Sequence, residues 1–253
     1  MKFLVKTLNV WHKRWDNIQN RTFTDTLNER QSRTDDVYEY LKNHILFRHL
    51  PPGTQLVENM IGKELQVSRT PIRNAMKKLE QEGLVKIYSN RGAFVVEPTI
   101  EEIRQAFDMR RHLEKMTLEQ IYDQMNEEDF FQLEEWIEHE RKTYETRDIL
   151  EYLDVNKQFH MTLALKTKNT FLIDFTERIL NQINVYLMLY DVFVDEDLYE
   201  EQRFKEHELL LEALKNKDLS RLLQLIDQHM EESLNYMSLS KRSNKIEEKK
   251  KSL

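Results

Sequence analysis

The chain has 253 residues, 40% of them hydrophobic and 33% charged, with a formal net charge of -7, a length that allows two domains with substantial cores. Four glycines and four prolines are far below ordinary usage, which disfavours turn-rich β architectures and favours long helices. The absence of cysteine excludes disulfides and thiolate metal sites, and no apolar run approaches the roughly eighteen residues of a membrane span.

The amino terminus, MKFLVKTLNVWHKRW, mixes lysines with apolar residues but is interrupted at Lys6 and Asn9 and lacks a small-residue cleavage site. It does not read as a signal peptide, so a cytoplasmic protein is expected. The polar stretch that follows makes residues 1–30 an expected poorly ordered extension. From Thr34, Val37, Leu41 and Ile45 recur at helical spacing, and this helix must stop before Pro51-Pro52-Gly53. A short helix fits Glu58 to Leu65. Ser68 then stands as an N-cap for a third helix to about Glu82, with Ile72, Met76 and Leu79 on its apolar face and Gly83 past its end. LVKIY (84–88) and AFVV (93–96), separated by SNRG, read as a hairpin. Three helices and a hairpin are the order of a winged helix-turn-helix, expected over 31–97.

Thr99 and Glu102 have the spacing of a capping box that opens a long amphipathic helix. Helices fit 99–124, 127–143, 148–167, 169–192, 196–215 and 218–239, with Asn126, Asp148 and Asp218 as caps or first-turn residues. The expected fold is therefore mainly α, a winged helix-turn-helix followed by an all-α antiparallel bundle over 98–240. The tail 241–253, KRSNKIEEKKKSL, has no apolar face and is expected to be disordered.

Charge is unevenly divided. Residues 31–97 hold ten Lys/Arg against eight Asp/Glu, whereas 98–240 hold sixteen against thirty-two. Such an acidic body cannot lie along a phosphate backbone, so any nucleic-acid contact belongs to the amino-terminal part. There, Arg69 and Arg73 lie one turn apart at the start of the third helix, opposite its apolar face. A guanidinium in that position can bridge guanine O6 and N7, Ser68 and Thr70 can reach phosphates beside the positive helix start, and Lys77 extends the stripe. Two arginines alone would more often be a solvated face; the hairpin, the Pro-Pro-Gly break and the capped turn reverse that preference.

PPGTQL, VSRTPIRNAMKKLEQEGLV and NRGAFVV, in this order and spacing, resemble the DNA-binding domain of GntR-family regulators. The resemblance implies base and phosphate contacts by Arg69, Thr70 and Arg73, and approach of Gly92 at the wing tip to the minor groove. The sequence departs from the family at Asn74, where Glu is common, and at Asn59, where some members carry a DNA-contacting Arg; Asn59 can still hydrogen-bond.

Of eight histidines, His44 and His49 read as surface or packing residues, and His112 and His139 as solvated. His160 follows Asn156 by four residues on one helix, while His207 and His229 lie on two later ones. Three helices of a bundle can aim imidazoles at one centre, although isolated core or surface histidines are the commoner outcome. NKQFHMTLALKTKN, EHELLLEALKNKD and the final QHM resemble the FadR-type (FCD) ligand-sensing domain of GntR regulators. That resemblance implies a divalent metal site of Asn156, His160, His207 and His229, with Asn in place of the commoner Asp. It also implies that Arg110, in FDMRRHLE, pairs with an effector carboxylate; the alternative is that Arg110 or Arg111 pairs with Glu114 on the helix surface.

The sequence is thus expected to encode a homodimeric transcription regulator, a repressor acting on a palindromic operator in double-stranded DNA. A small carboxylate bound near Zn, Ni or Mn would control it, and no membrane is involved. The alternatives are a metal-dependent hydrolytic enzyme, for which no spare general base is evident, and a bundle that dimerises the winged domain without sensing.

Overall fold

In a computed structural model that describes residues 28–146, 148–190 and 204–237, the chain opens with helix α1, Asn28–Leu46. The expected extension 1–30 and tail 241–253 lie outside the described residues, except that Asn28, Glu29 and Arg30 form the start of α1. The helix begins six residues before Thr34 because NERQSR is made of helix-tolerant polar residues that carry no apolar period. It ends at Leu46, well short of Pro51, with Arg48 at φ 60° turning the chain.

Three further elements complete the expected motif: α2, Glu58–Glu64; α3, Arg69–Gln81; and a hairpin of β2, Val85–Tyr88, and β3, Gly92–Val95. A two-residue strand β1, Gln55–Leu56, adds to the other edge of β3 and makes an antiparallel sheet in the order β1-β3-β2. This strand was not expected, since two residues are too short to show a period. Gly83, at φ 77°, terminates α3 in a Schellman arrangement: Leu84 N–H donates to Leu79 O at 2.9 Å and Gly83 N–H to Glu80 O at 3.0 Å. Val37, Leu41, Ile45, Ile72, Ala75, Leu79 and Leu84 form the core that fixes α3 against α1 and the sheet.

Six helices follow: α4, Ile100–Ile121; α5, Glu127–Thr146; α6, Ile149–Lys166; α7, Thr170–Tyr190; α8, Phe204–Lys215; and α9, Leu219–Tyr236. Apart from the start of α8, their described bounds lie within three residues of expectation, with the start of α5 and the end of α8 as expected, and 191–203, which includes the first turns expected of the fifth bundle helix, lie outside the described residues. Thr99 and Glu102 form the expected capping box, and Asn126, Asp148 and Asp218 each accept a first-turn N–H. Helix α6 is packed by α4, α5 and α7, with α9 against α4 and α8 against α5 and α9.

The two parts meet beside Gly83. A Cβ built there would lie 3.6 Å from Val185 Cγ2 and 3.8 Å from Gln182 Oε1, so the end of α3 abuts α7, and α1 touches α7 as well.

Candidate DNA-reading face and candidate metal centre

On the winged part, the apolar face of α3 is buried and its opposite face is open. Ser68, Arg69, Thr70, Arg73 and Lys77 are exposed, as are Asn59 on α2 and Gly92 at the hairpin turn. Ser68 holds the N-cap position with extended backbone, but its hydroxyl makes no capping bond. This differs from the expected side-chain cap and leaves the hydroxyl available to an outside acceptor. The arginines are held by α2: Arg69 Nη2 donates to Asn59 Oδ1 at 3.0 Å, and Arg73 Nε to Glu58 Oε1 at 2.8 Å. Gly92, at φ 93°, faces Gln55 so closely that a Cβ would stand 3.3 Å from Gln55 Nε2. Sequence reasoning passed over Arg91, whose guanidinium carbon stacks 5.5 Å from the Tyr88 ring and 5.9 Å from the Phe94 ring. Its place in the SNRG turn was the available signal.

In the bundle, His160, His207 and His229 come together from α6, α8 and α9. All are buried, and the candidate ligand atoms, one per ring, lie within 4.8 Å of one another. Asn156 is also buried, one turn before His160 on α6. The helices place these rings because each histidine falls on its helix's apolar stripe: His207 between Phe204 and Leu210, His229 between Ile226 and Met230. His44 instead stacks on Tyr40, and His139 pairs with Glu151 at the surface.

Each of the three rings has a carboxylate behind it. His207 Nδ1 is 2.6 Å from Glu140 Oε2, His229 Nδ1 is bonded to Glu206 Oε2, and His160 Nδ1 is 3.1 Å from Glu114 Oε2. The third contact has a distance that allows a hydrogen bond but a geometry that leaves both atoms unpartnered, as is Glu140 Oε1. In a neutral ring, an Nδ1 facing a carboxylate must carry the proton, so Nε2 is the bare nitrogen. The Nε2 atoms are the ones that converge, with His160 and His207 3.3 Å apart there. Backing each ligating imidazole with an outer carboxylate is the arrangement that orients metal-binding histidines. Sequence reasoning missed Glu140 and Glu206, and placed Glu114 only in a surface pair.

Arg110 corrects that surface alternative. It is 2% exposed, donates from Nε to Glu114 Oε1 at 2.5 Å, and aims Nη2 at His160 Nε2 (2.6 Å) and His229 Nε2 (3.2 Å). Burial pushes the Glu114 carboxyl up, but Arg110 and His160 outweigh it and hold it well below the usual range. Burial, reinforced by Arg110, takes His160 down to about 4 and His229 well below its ordinary value, so both present lone pairs near neutrality. Around the three converging nitrogens, three carboxylates stand against a single guanidinium. The donor set and the charge fit a divalent cation.

A model of the gntR family of bacterial regulatory proteins matches residues 33–95, and one of the FCD domain matches 105–232. The HTH-type transcriptional regulator YdhC of Bacillus subtilis (strain 168) is 28% identical over 182 residues, covering 72% of this chain and 80% of that protein. The HTH-type transcriptional repressor RspR of Escherichia coli (strain K12) is 25% identical over 212 residues, covering 83% and 91%. Among solved structures, E. coli McbR/YncC superposes with a TM-score of 0.60 at 22% identity, over 82% of this chain and 98% of that one, a likeness of fold.

Proposed function

The chain belongs to the GntR family of bacterial regulatory proteins and carries an FCD domain, and from that premise we propose that it is a metal-dependent, effector-controlled repressor. Membership makes it a DNA-binding transcription regulator rather than an enzyme. No helix among the described residues is long and apolar enough to cross a membrane, in keeping with action in the cytoplasm.

In this reading, residues 31–97 read DNA and 98–240 sense a ligand. Arg69 and Arg73 meet base edges in the major groove, Ser68, Thr70, Asn59 and Lys77 anchor phosphates or neighbouring edges, and the turn at Gly92 enters the minor groove. Two copies, related by a two-fold axis, recognise the two halves of a palindrome. His160, His207 and His229, with Asn156 beside them, hold the divalent ion, which supplies a Lewis-acid position for a small carboxylate. Zn, Ni and Mn all suit imidazole donors, and Arg110 pairs with the carboxylate.

The observation that carries the sensing part is the back-to-back placement of Glu114, Glu140 and Glu206 behind rings whose Nε2 atoms converge. A bundle that only dimerises the head has no use for the buried carboxylates of Glu114 and Glu140, which are expensive to keep. The test is elemental analysis of purified protein together with a thermal-shift screen of sugar acids and other small organic acids on metal-loaded protein. About one divalent ion per chain, and a stabilising carboxylate that weakens operator binding several-fold, are expected. Absence of metal binding and of any carboxylate response would leave the non-sensing bundle as the reading.

A further inference from the structure

Arg110 donates into the very lone pairs that a metal would take. Its Nη2 lies 2.6 Å from His160 Nε2 and 3.2 Å from His229 Nε2, whereas its Nε is committed to Glu114 Oε1. Each neutral imidazole has one bare nitrogen, and that nitrogen serves either a hydrogen-bond donor or a metal, not both. We infer that Arg110 and a divalent ion compete for the histidine cluster, the guanidinium acting as its exchangeable internal cation. The inference rests on the metal reading above and adds a second state of the site to it.

Several features of the site favour exchange over simple blockage. The guanidinium has five donors, and only Nε is needed to keep it on Glu114, so Nη2 can leave the imidazoles without Arg110 leaving its carboxylate. Glu114 Oε2 and His160 Nδ1 are buried 3.1 Å apart but fall short of good hydrogen-bond geometry, so their contact is not optimised in the arrangement with Nη2 on the rings. The surrounding carboxylates also tolerate either cation. With Arg110 alone the cluster sets three carboxylates against one guanidinium, and an added divalent ion narrows that imbalance while Arg110 stays in place as a monovalent partner of Glu114.

The donor freed in the exchange is the one most useful for sensing. An Nη2 no longer spent on His160 and His229 can take an anionic oxygen beside the ion, so metal loading arms the anchor for a carboxylate. Loading and sensing are then successive states of one side chain. Arg110 is a positioning residue in the first and a ligand-binding residue in the second.

The test uses full-length protein and Zn²⁺ alone. Crystal structures are determined of chelator-treated and Zn²⁺-soaked protein, and Zn²⁺ affinity is measured by competition with a chromophoric chelator for wild type and Arg110→Met. Competition predicts that Arg110 Nη2 is within hydrogen-bond reach of His160 Nε2 only without Zn²⁺. It also predicts about ten- to a hundredfold tighter Zn²⁺ binding by Arg110→Met, the factor expected when the open arrangement is a minor population. If Arg110→Met binds Zn²⁺ no better than wild type, exchange is overturned and the metal site stands; if Zn²⁺ binds away from the three histidines while Nη2 stays on His160 Nε2, both are overturned. If neither Zn²⁺, Ni²⁺ nor Mn²⁺ binds wild type or Arg110→Met, the metal reading itself fails, and exchange with it. Circular dichroism of Arg110→Met checks its fold; should that variant not fold, the two wild-type structures decide alone.

Discussion

His207 Nδ1 and Glu140 Oε2 lie 2.6 Å apart between α8 and α5, with both side chains almost wholly withdrawn from water, at 1% and 2% exposure. The carboxylate has no reason to be there for stability alone, because two apolar residues of similar volume would serve the packing as well. Facing Nδ1, a carboxylate oxygen favours the tautomer that carries its proton there and leaves Nε2 bare toward the centre of the cluster. Glu140→Gln keeps the shape but can donate an amide N–H to Nδ1, which favours the other tautomer and puts a proton on Nε2. We expect about ten- to a hundredfold weaker Zn²⁺ binding, measured by chelator competition. Unchanged affinity would mean that Glu140 does not orient the ring.

Chelation is the second prediction. Ligand atoms on α6, α8 and α9 tie three helices together, so a bound ion stabilises the folded state by mass action. At free metal about a hundred times the dissociation constant the gain is about 2.7 kcal/mol, read as a higher Tm that a chelator abolishes. His160→Ala, His207→Ala and His229→Ala are each expected to lose the metal-dependent part of Tm. A metal response that survives all three substitutions would place the binding elsewhere.

On the winged part, Arg73 faces away from Ile72, Met76 and Leu79 and its side chain is 60% exposed. Arg73→Ala should therefore fold normally while losing about ten- to a hundredfold in affinity for an operator selected in vitro with the wild type. Its partner Glu58 offers a complementary measurement. Glu58→Gln releases Arg73 from an acidic neighbour, so binding to unselected DNA should strengthen and become more dependent on salt. Equal affinities in gel shifts for wild type and Arg73→Ala would remove this face of α3 from the groove.

Much of this was legible in the sequence, and the remainder has identifiable physical causes. The winged motif was visible because Ser68, Gly83 and the two hairpin runs are punctuation that local sterics enforce. The histidines were visible as residues but not as a cluster, since nothing local says which way three separate helices turn. Arg110 and Glu114 could have been placed inside, because both interrupt the buried series Ile103, Phe107, Leu113, Thr117, Ile121 on α4. Glu140 was hidden by company: it sits one helical turn from Ile137 in the run EEDFFQLEEWIEHERKTYET, where most acidic neighbours are solvated. Strand β1 had no period to detect, and its existence depends on pairing with Phe94 and Ala93 across the sheet.

The joint between the two parts gives a fourth prediction. Thr99 Oγ1 accepts from Glu102 N–H at 3.1 Å, and Glu102 Oε2 accepts from Thr99 N–H at 2.7 Å, closing the first turn of α4 just after the wing. The backbone N–H and the hydroxyl of Thr99 hold the Glu102 carboxyl below its usual range. A depressed carboxylate contributes stability above its unfolded value near 4.5 and loses it as pH falls through the folded value. Thr99→Ala should lower stability by about 1 kcal/mol near neutral pH, with a smaller difference from wild type in strong acid, measured by urea unfolding. A difference that grows on acidification would contradict the capping role.

The abutment of Gly83 on Val185 and Gln182 has a consequence for how far a small motion travels. Helix α3 has thirteen residues and so extends about 20 Å from its docked end to Arg69. A tilt of about ten degrees about Gly83 would sweep Arg69 through about 3.5 Å, close to the rise of one base pair. Helix α7 also packs on α4 and α6, the helices that carry Arg110 and His160. Any tilt of α3 allowed or blocked by this contact would therefore be felt least at Gly83 and most at Arg69, on the scale of one base-pair step.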